Sequence, residues 1–260
     1  MSEKLEGLDF LREFIGLLLW TGQLSDERPA SAIVIAPPGS GKTSILESIG
    51  CDTAVFVGDL TARPLSTIVR HSEKVTHVLL GDMLSMFGHK SATVKLTMRL
   101  VSQMTGESIV HDPWTGEAIQ PRQFGLITAI PPDDLAKHKE HITGGGFASR
   151  FLLIRYSYKP STIAKIHRFI AANNYATTNW KPVAVESGKL LVTISKDLSD
   201  EIKDFSRSLD RDPLGFRAHR HLRALVKAAA RRDHRATAAR RDLELVSSYV
   251  DFFSAEGREV

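Results

Sequence analysis

The sequence predicts an α/β fold of three layers, with a parallel five-stranded sheet in its core and a mainly helical lid after the core. Short apolar, β-branched runs recur along the first part of the chain, and segments with helical spacing alternate with them. Such alternation is typical of a parallel sheet covered by helices. Towards the end of the chain the helical segments predominate. We therefore divide the chain into a core, residues 1–158, and a lid, residues 159–260.

The composition is that of a globular protein. Hydrophobic residues make up 42% and charged residues 25% of the chain, which are ordinary fractions for such a protein. The apolar run from Phe14 to Trp20 is too short to span a bilayer and lacks the basic leader of a signal peptide, so we interpret it as an N-terminal core helix. The single Cys51 excludes an internal disulfide and a zinc site built from cysteines. We expect a cytoplasmic protein with no membrane partner.

The stretch APPGSGKT, from Ala36 to Thr43, matches the phosphate-binding pattern G-x-x-x-x-G-K-[ST], except that alanine replaces the first glycine. Before it lies a short apolar run, Ser31 to Ala36, which predicts a buried strand. After it, isoleucine and leucine recur at helical spacing until Gly50, a helix stop signal. Strand, glycine-rich turn and helix form the context that such a loop requires. We therefore predict a P-loop NTPase core.

The chemistry of a nucleoside triphosphate gives each residue of this loop a role. Backbone N–H groups can wrap the β-phosphate, because Gly39 and Gly41 tolerate backbone angles that are closed to other residues. The helix that begins near Lys42 directs its positive end towards the same phosphates. Lys42 would bridge the β- and γ-phosphates, and the Thr43 hydroxyl would ligate Mg²⁺. The predicted cofactors are ATP and Mg²⁺, and the predicted contacts in the loop are Pro38, Gly39, Ser40, Gly41, Lys42, Thr43 and Ser44.

An acidic residue follows a later strand. Thr53 to Gly58 predicts the second strand, and Val75 to Met83 predicts a third that ends in an acid. Asp82 is the predicted Walker B carboxylate, which holds the Mg²⁺ shell together with Thr43. The separation of Lys42 from Asp82 leaves room for two strand–helix units. That spacing favours the P-loop ATPases with an additional strand over GTPases and kinases.

The rest of the predicted core has a hairpin and two further strands. A helix is expected from Ser91 to Met104. Glu107 to Gln123 predicts a β-hairpin. Phe124 to Pro132 is a buried strand, and a triple-glycine loop leads to a fifth strand, Phe151 to Tyr156.

The chain carries, in order, a Walker A loop, a Walker B acid, the polar Thr128 on a further strand, and Arg150 in FASRF just before the last strand. This order resembles that of the AAA+ ATPase family. The resemblance implies that Thr128 is the sensor 1 residue. It also implies that Arg150 is an arginine finger for a neighbouring subunit's γ-phosphate, and hence a homo-oligomer, a ring or spiral of six subunits. The hairpin resembles the pre-sensor-1 clade, which includes MCM helicases, RuvB and ClpX-like unfoldases.

The segment from Arg220 to Val250 resembles the lid of MCM-type ATPases. The resemblance implies a sensor 2 arginine that binds the nucleotide. Arg220 is the candidate, with Arg217 and Arg223 as alternatives.

The residue after Asp82 departs from the family pattern. AAA+ proteins carry a glutamate there, which polarises the attacking water, and this chain has Met83. The general base is therefore absent or supplied elsewhere, with Glu73 and Glu107 as candidates. We expect turnover, because positioning and electrostatics carry most of phosphoryl transfer. The alternative is slow hydrolysis, with nucleotide acting as an assembly switch.

Charge is uneven along the chain. The net charge is +4, yet nine lysine and arginine residues lie between Gly215 and Arg241 with Asp233 as the one acid. This predicts a local positive field that attracts polyanions, and the alternative is a solvated helix face with some sites reserved for nucleotide. The predicted nucleic-acid contacts are Arg122, Arg231, Arg232 and Arg235.

These features lead to two main hypotheses. The first is an ATPase that acts on DNA, as a helicase loader, a helicase-like protein or a mobile-element ATPase, with DNA or a DNA-processing protein as partner. Arg122 and Trp114 of the hairpin would touch the strand by charge and stacking, and turn packing is the alternative role of Trp114. The second is a protein-remodelling ATPase of the MoxR-like kind, and a nucleotide-switched scaffold is a third. The ten histidines show no metal-ligand spacing, so we expect no metal beyond Mg²⁺.

Overall fold

A computed structural model describes residues 7–71, 74–106, 110–111, 118–119, 123–143, 147–172, 182–209, 216–254 and 256–260. The helices and strands, in chain order, are α1 (Asp9–Trp20), β1 (Ser31–Ile35), α2 (Lys42–Glu47), β2 (Ala54–Val57), α3 (Ala62–His71), β3 (His77–Leu80), α4 (Leu84–Phe87), α5 (Ser91–Gly106), β4 (Val110–His111), β5 (Ala118–Ile119), β6 (Gly125–Ile130), α6 (Pro132–Lys137), α7 (Lys139–Thr143), β7 (Phe151–Ser157), α8 (Pro160–Ala171), α9 (Lys196–Leu209), α10 (Phe216–Arg232), α11 (Arg240–Ser247) and β8 (Arg258–Glu259).

The central sheet is parallel throughout, which confirms the α/β class. Within the described ranges it has six strands in the order β2–β3–β6–β1–β7–β8. The expected number of five was too small, because β8 is a two-residue strand and is too short to show a periodic pattern. β1 lies between β6 and β7, with Ile33 beside Thr128 on one side and Leu153 on the other.

Both faces of the sheet are covered. Alternate residues of a strand point to opposite faces, so β1 contributes Ala32 and Val34 to one hydrophobic cluster and Ile33 and Ile35 to another. All five residues of β1 are buried, as is typical of a strand inside a parallel sheet. The first cluster also contains apolar residues of α1, α2 and α10, and the second contains residues of α3 and α5.

The expected hairpin is confirmed as a short antiparallel pair. Val110 of β4 is opposite Ile119 of β5. The residues between the two strands, among them Trp114, lie outside the described residues, and so does Arg122.

The C-terminal helices pack on the core through apolar and charged contacts. α10 lies against α1 and shares its hydrophobic cluster. Lys227 of α10 forms ion pairs with Asp26 at 2.5 Å and with Glu27 at 2.9 Å, and Arg223 pairs with Glu27 at 2.8 Å. The chain then returns to the sheet, where β8 pairs with β7. A separate lid that begins at residue 159 stays a prediction.

None of the helices in the described ranges combines the length and the apolar character needed to cross a bilayer.

Candidate nucleotide-binding site

The loop between β1 and α2 has the backbone conformation that its glycines suggest. Gly39 has φ of 72° and Gly41 has φ of 83°, and both values lie in the left-handed region that favours glycine. A Cβ on Gly39 would meet no atom within 4 Å, so the requirement for glycine there is conformational rather than steric. Pro38, Gly39, Thr43 and Ser44 are exposed, whereas Ser40 and Lys42 are buried. The loop therefore offers an accessible rim around a buried ammonium group.

Lys42 is folded over its own loop. Its ammonium donates to the carbonyl oxygen of Ala36 at 2.7 Å and to that of Pro37 at 2.6 Å. The hydroxyl of Ser40 is 3.4 Å away. Burial lowers the pKa of Lys42, and the negative charge of Asp82 opposes that shift. The ammonium thus lies among neutral acceptors, within the electrostatic reach of one carboxylate.

Thr43 and Asp82 are brought to the same place. The Thr43 hydroxyl donates to the carbonyl oxygen of Gly81 at 3.2 Å, next to Asp82 in the chain. Asp82 is exposed, and its Oδ1 accepts from the N–H of Leu84 at 2.9 Å. A Cβ on Gly81 would lie 3.1 Å from Thr43 Cγ2 and 3.0 Å from the ring of Phe56, so glycine permits this close approach.

A hydroxyl and a carboxylate fit the way Mg²⁺ binds in proteins. Mg²⁺ keeps several waters and takes one or two protein oxygens besides the phosphates of its substrate. Thr43 and Asp82 supply that number. In the described part of the chain, no group of three or more histidine, cysteine, aspartate or glutamate side chains forms a denser metal site.

Met83 faces the core and not the loop. Its side chain is fully buried in the second hydrophobic cluster, and its N–H donates to the carbonyl oxygen of Ala129 at 2.8 Å. The position after Asp82 therefore supplies no group that contacts water near the loop. The candidate bases Glu73 and Glu107 lie outside the described residues.

Thr128 lies inside the sheet. It is opposite Leu80 of β3 and Ile33 of β1, two residues before the end of β6. Its hydroxyl is buried and has no hydrogen-bond partner among the described residues. The structure therefore does not join Thr128 to Lys42, Thr43 or Asp82 by a described hydrogen bond.

Arg150 and Arg220 lie together at the other edge of the sheet. Both line a cavity of about 100 Å³, along with Glu27 and Arg28. Arg150 precedes β7 and Glu27 precedes β1, so the cavity is at the amino edge of these parallel strands. The phosphate-type loop is at the carboxyl edge, and the five residues of β1 between them span roughly 16 Å. The two arginines are thus brought together and are separated from Lys42 of the same chain.

The alternatives to Arg220 lie in the same helix. Arg223 forms the ion pair with Glu27 described above. The side chain of Arg217 is outside the described part of the structure.

The arginines predicted to bind nucleic acid make contacts within the chain. Arg231 lies over the ring of Trp20, with 5.4 Å from its guanidinium carbon to the ring centroid, and donates to the carbonyl oxygen of Gly188 at 3.3 Å. Arg235 binds Asp242 through two hydrogen bonds, one of them 2.9 Å long. The cations of this stretch that form ion pairs include Arg223, Lys227, Arg231, Arg232, Arg235 and Arg240.

Two tyrosines at the end of β7 lie against the loop, and neither was predicted as a site residue from the sequence. The hydroxyls of Tyr156 and Tyr158 donate to the carbonyl oxygen of Ser40, at 2.8 and 2.9 Å. Burial raises the pKa of Tyr158 to about 12 and also raises that of Tyr156, so both hydroxyls stay protonated donors at neutral pH. The available signal was the Y-x-Y spacing, which places both side chains on one face of a strand.

No model of a known protein family matches the chain. The chain is similar to the phosphoribosylformylglycinamidine cyclo-ligase of Sulfurisphaera tokodaii, with 26% identity over 169 residues. The matched region is 62% of this chain and 52% of the cyclo-ligase, so the chain spans about half the length of that relative. An identity this low over half of a relative does not assign the chain to a family.

Proposed function

We propose that this chain is a Mg²⁺-dependent ATP-binding protein of the P-loop class, and that it hydrolyses ATP as an oligomer of the AAA+ type. The observation that carries the proposal is the loop after β1. Two left-handed glycines precede a buried lysine there, and the hydroxyl of Thr43 binds the carbonyl oxygen of Gly81, the residue before Asp82. This combination provides backbone donors, one lysine ammonium and two oxygens for a metal ion, which are what a triphosphate requires.

The described residues divide the work of binding. The exposed rim of the loop supplies backbone N–H groups to the phosphates. Lys42 would exchange two carbonyl acceptors for phosphate oxygens, which bind an ammonium more strongly because they are charged. Thr43 and Asp82 would hold Mg²⁺, which neutralises charge that develops on the phosphates during transfer.

The strand order supports an ATPase with an additional strand. β6 lies between β1, which leads into the loop, and β3, which leads to Asp82. The sequence spacing between Lys42 and Asp82 favours the same class.

The location of Arg150 supports hydrolysis between subunits. Arg150 lies about the length of β1 away from the phosphate-type loop of its own chain. We therefore propose that copies associate with the amino edge of one chain at the loop of the next, in a ring or spiral of six. Arg220 shares a cavity with Arg150, so in this arrangement it serves the neighbour's nucleotide as well.

The burial of Met83 favours a second candidate, a nucleotide-switched scaffold with slow turnover. With this residue in the core, no carboxylate next to Asp82 activates water. Binding and assembly would then carry the function, and hydrolysis would reset it.

DNA remains the proposed object of the ATPase, with protein remodelling as the alternative. The contacts of Arg231 and Arg235 reduce the number of cations that a polyanion can reach. The DNA proposal now depends mainly on Arg122, which lies outside the described residues, on Arg232, whose side chain is 37% exposed, and on the exposed Arg241.

The test is turnover by mixtures of two defective variants. Arg150→Ala is expected to bind ATP with near-normal affinity and to lose about 10³-fold or more in turnover, since fingers of this kind contribute that much. Lys42→Ala is expected to be inactive because it does not bind ATP. An equimolar mixture should recover measurable turnover, because an intact loop can then meet an intact Arg150. No recovery, together with a monomeric mass in the presence of ATP, would refute the intersubunit arrangement.

Adding oligonucleotides to the same assay separates the two partner classes. Stimulation of wild-type turnover by DNA, lost at higher salt, supports the DNA proposal. If DNA leaves turnover unchanged and does not bind at low salt, protein remodelling becomes the favoured function.

A further inference from the structure

Two tyrosine hydroxyls converge on a single carbonyl oxygen of the phosphate-type loop. Tyr156 and Tyr158 both donate to Ser40 O, and their rings meet edge to face at an interplanar angle of 77°. A carbonyl oxygen has two lone pairs, so it can accept both hydrogen bonds at once. The two tyrosine hydroxyls can therefore occupy both lone pairs of this oxygen.

Because a peptide bond is planar, this contact also fixes the direction of the Gly41 N–H group. In a planar trans peptide, the C=O of one residue and the N–H of the next point in opposite directions. Holding the Ser40 oxygen towards the tyrosines therefore turns the Gly41 N–H away from them. Gly41 is at φ of 83°, and glycine adopts either sign of φ readily, so this peptide can flip without a clash from a side chain of Gly41.

We propose that Tyr156 and Tyr158 are positioning residues that lock the Ser40–Gly41 peptide with its N–H directed to the phosphate. The proposal rests on the ATP-binding function proposed above. A loop that wraps a phosphate needs its N–H groups to converge, and a flipped peptide would present a carbonyl oxygen to an anion instead. The two hydroxyls prevent that conformer before ligand arrives, which reduces the ordering cost of binding.

Val260, the residue after β8, holds the segment that carries both tyrosines. The N–H of Val260 donates to the carbonyl oxygen of Ser157, the residue between them, at 2.9 Å. The carbonyl oxygen of Val260 accepts from the N–H of Lys159, also at 2.9 Å. The end of β7 is thus tied on one side to the C-terminal residues and on the other side to the loop.

The experiment removes only the hydroxyls. Tyr156→Phe, Tyr158→Phe and the double variant keep both rings in place, and Tyr249→Phe is the matched control. Tyr249 is a buried tyrosine whose ring stacks on Phe10, and it makes no described contact with the loop. Affinity for Mg²⁺-ATP is measured by calorimetry. Amide hydrogen exchange of the peptide that covers residues 36–46 is measured without nucleotide.

Each lost hydroxyl is expected to weaken ATP binding by about tenfold at most, and the double variant by more than either single variant. Loop exchange should rise in the double variant while exchange elsewhere and the melting temperature stay close to wild type. ATP should restore protection. Tyr249→Phe should match wild type in every measurement.

Two results would overturn the positioning role. One is a double variant with wild-type affinity and wild-type loop exchange. The other is a rise in exchange across the whole chain with a lower melting temperature, which would make the tyrosines ordinary core residues. If wild type does not bind ATP, the proposed function fails, and the loop-exchange comparison still decides whether the hydroxyls fix the peptide.

Discussion

Two buried lysines show how differently this fold uses a positive charge. Lys42, in the loop after β1, is 8% exposed, and Lys227, in α10, is 6% exposed. The ammonium of Lys42 is held by two backbone carbonyl oxygens of its own loop. The ammonium of Lys227 is held by the carboxylates of Asp26 and Glu27.

The difference separates a lysine whose charge is neutralised within the chain from one whose charge is not, at nearly equal burial. Carboxylates neutralise Lys227, and its ion pairs attach α10 to the segment before β1. Carbonyl oxygens solvate Lys42 without neutralising it, and its charge is available to an anion. Several cations of the C-terminal helices also pair with carboxylates within the chain, among them Arg232, Arg235 and Arg240, so a polyanion would compete with those carboxylates.

The first prediction concerns the removal of the structural lysine, Lys227. Lys227→Ala leaves Glu27 buried with Arg223 as its remaining described ion-pair partner, so the cost should lie at the lower end of the range for a broken buried pair, about 3 kcal/mol. The melting temperature and the urea midpoint should fall accordingly, while ATP affinity well below the melting temperature stays at the wild-type value. Lys203→Ala is the control, because its pair with Asp200 is exposed and should cost less than about 0.5 kcal/mol. Equal stability of the two variants would contradict the structural role.

The second prediction uses pH to lower the free energy of unfolding through a residue at the amino edge of the sheet. His77, at the start of β3, is fully buried, and its Nε2 contacts the carbonyl oxygen of Ala30 at 3.2 Å. Burial lowers the pKa of His77 from 6.5 to about 4. Between these values the unfolded chain binds a proton that the folded chain does not, so stability falls as pH falls from 6.5 to 4. The loss at this site should approach about 3 kcal/mol.

The measurement is urea unfolding at several pH values within that window. His77→Gln, which does not titrate, should lose less stability than wild type on acidification. Parallel pH profiles of wild type and His77→Gln would show that another group is responsible.

Local sequence patterns predicted the parts of the site that lie close together in the chain. The strand before Ala36, the glycine turn and the acid after β3 each have a pattern that is readable within a dozen residues. The hairpin and the parallel sheet also followed from such patterns. The pairing of Lys227 with Glu27 and of Tyr156 with Ser40 did not, because these contacts depend on which strands and helices become neighbours in the fold. No periodic signal in a single sequence carries that information.

The sequence also did not predict at which edge of the sheet a residue lies. Arg220 was grouped with the nucleotide contacts on the strength of the lid resemblance, and the structure puts it beside Arg150 at the opposite edge from the loop. Sequence order fixes neither the direction from which α10 approaches the sheet nor which end of the helix meets the strands. The short strand β8 was missed for a related reason, since its two residues are defined by pairing with β7 alone.

The most direct test compares the two lysines in a calorimetric titration with Mg²⁺-ATP. Lys42→Ala is expected to stay folded, with a change in unfolding free energy below about 1 kcal/mol, since water can replace the ammonium at two carbonyls. Its ATP affinity should fall by about 100-fold or more, because the cation that neutralises the phosphates is gone. Lys227→Ala should show the reverse, with lower stability and unchanged affinity. Undiminished ATP affinity in a folded Lys42→Ala variant would contradict the assignment of this loop as the nucleotide site.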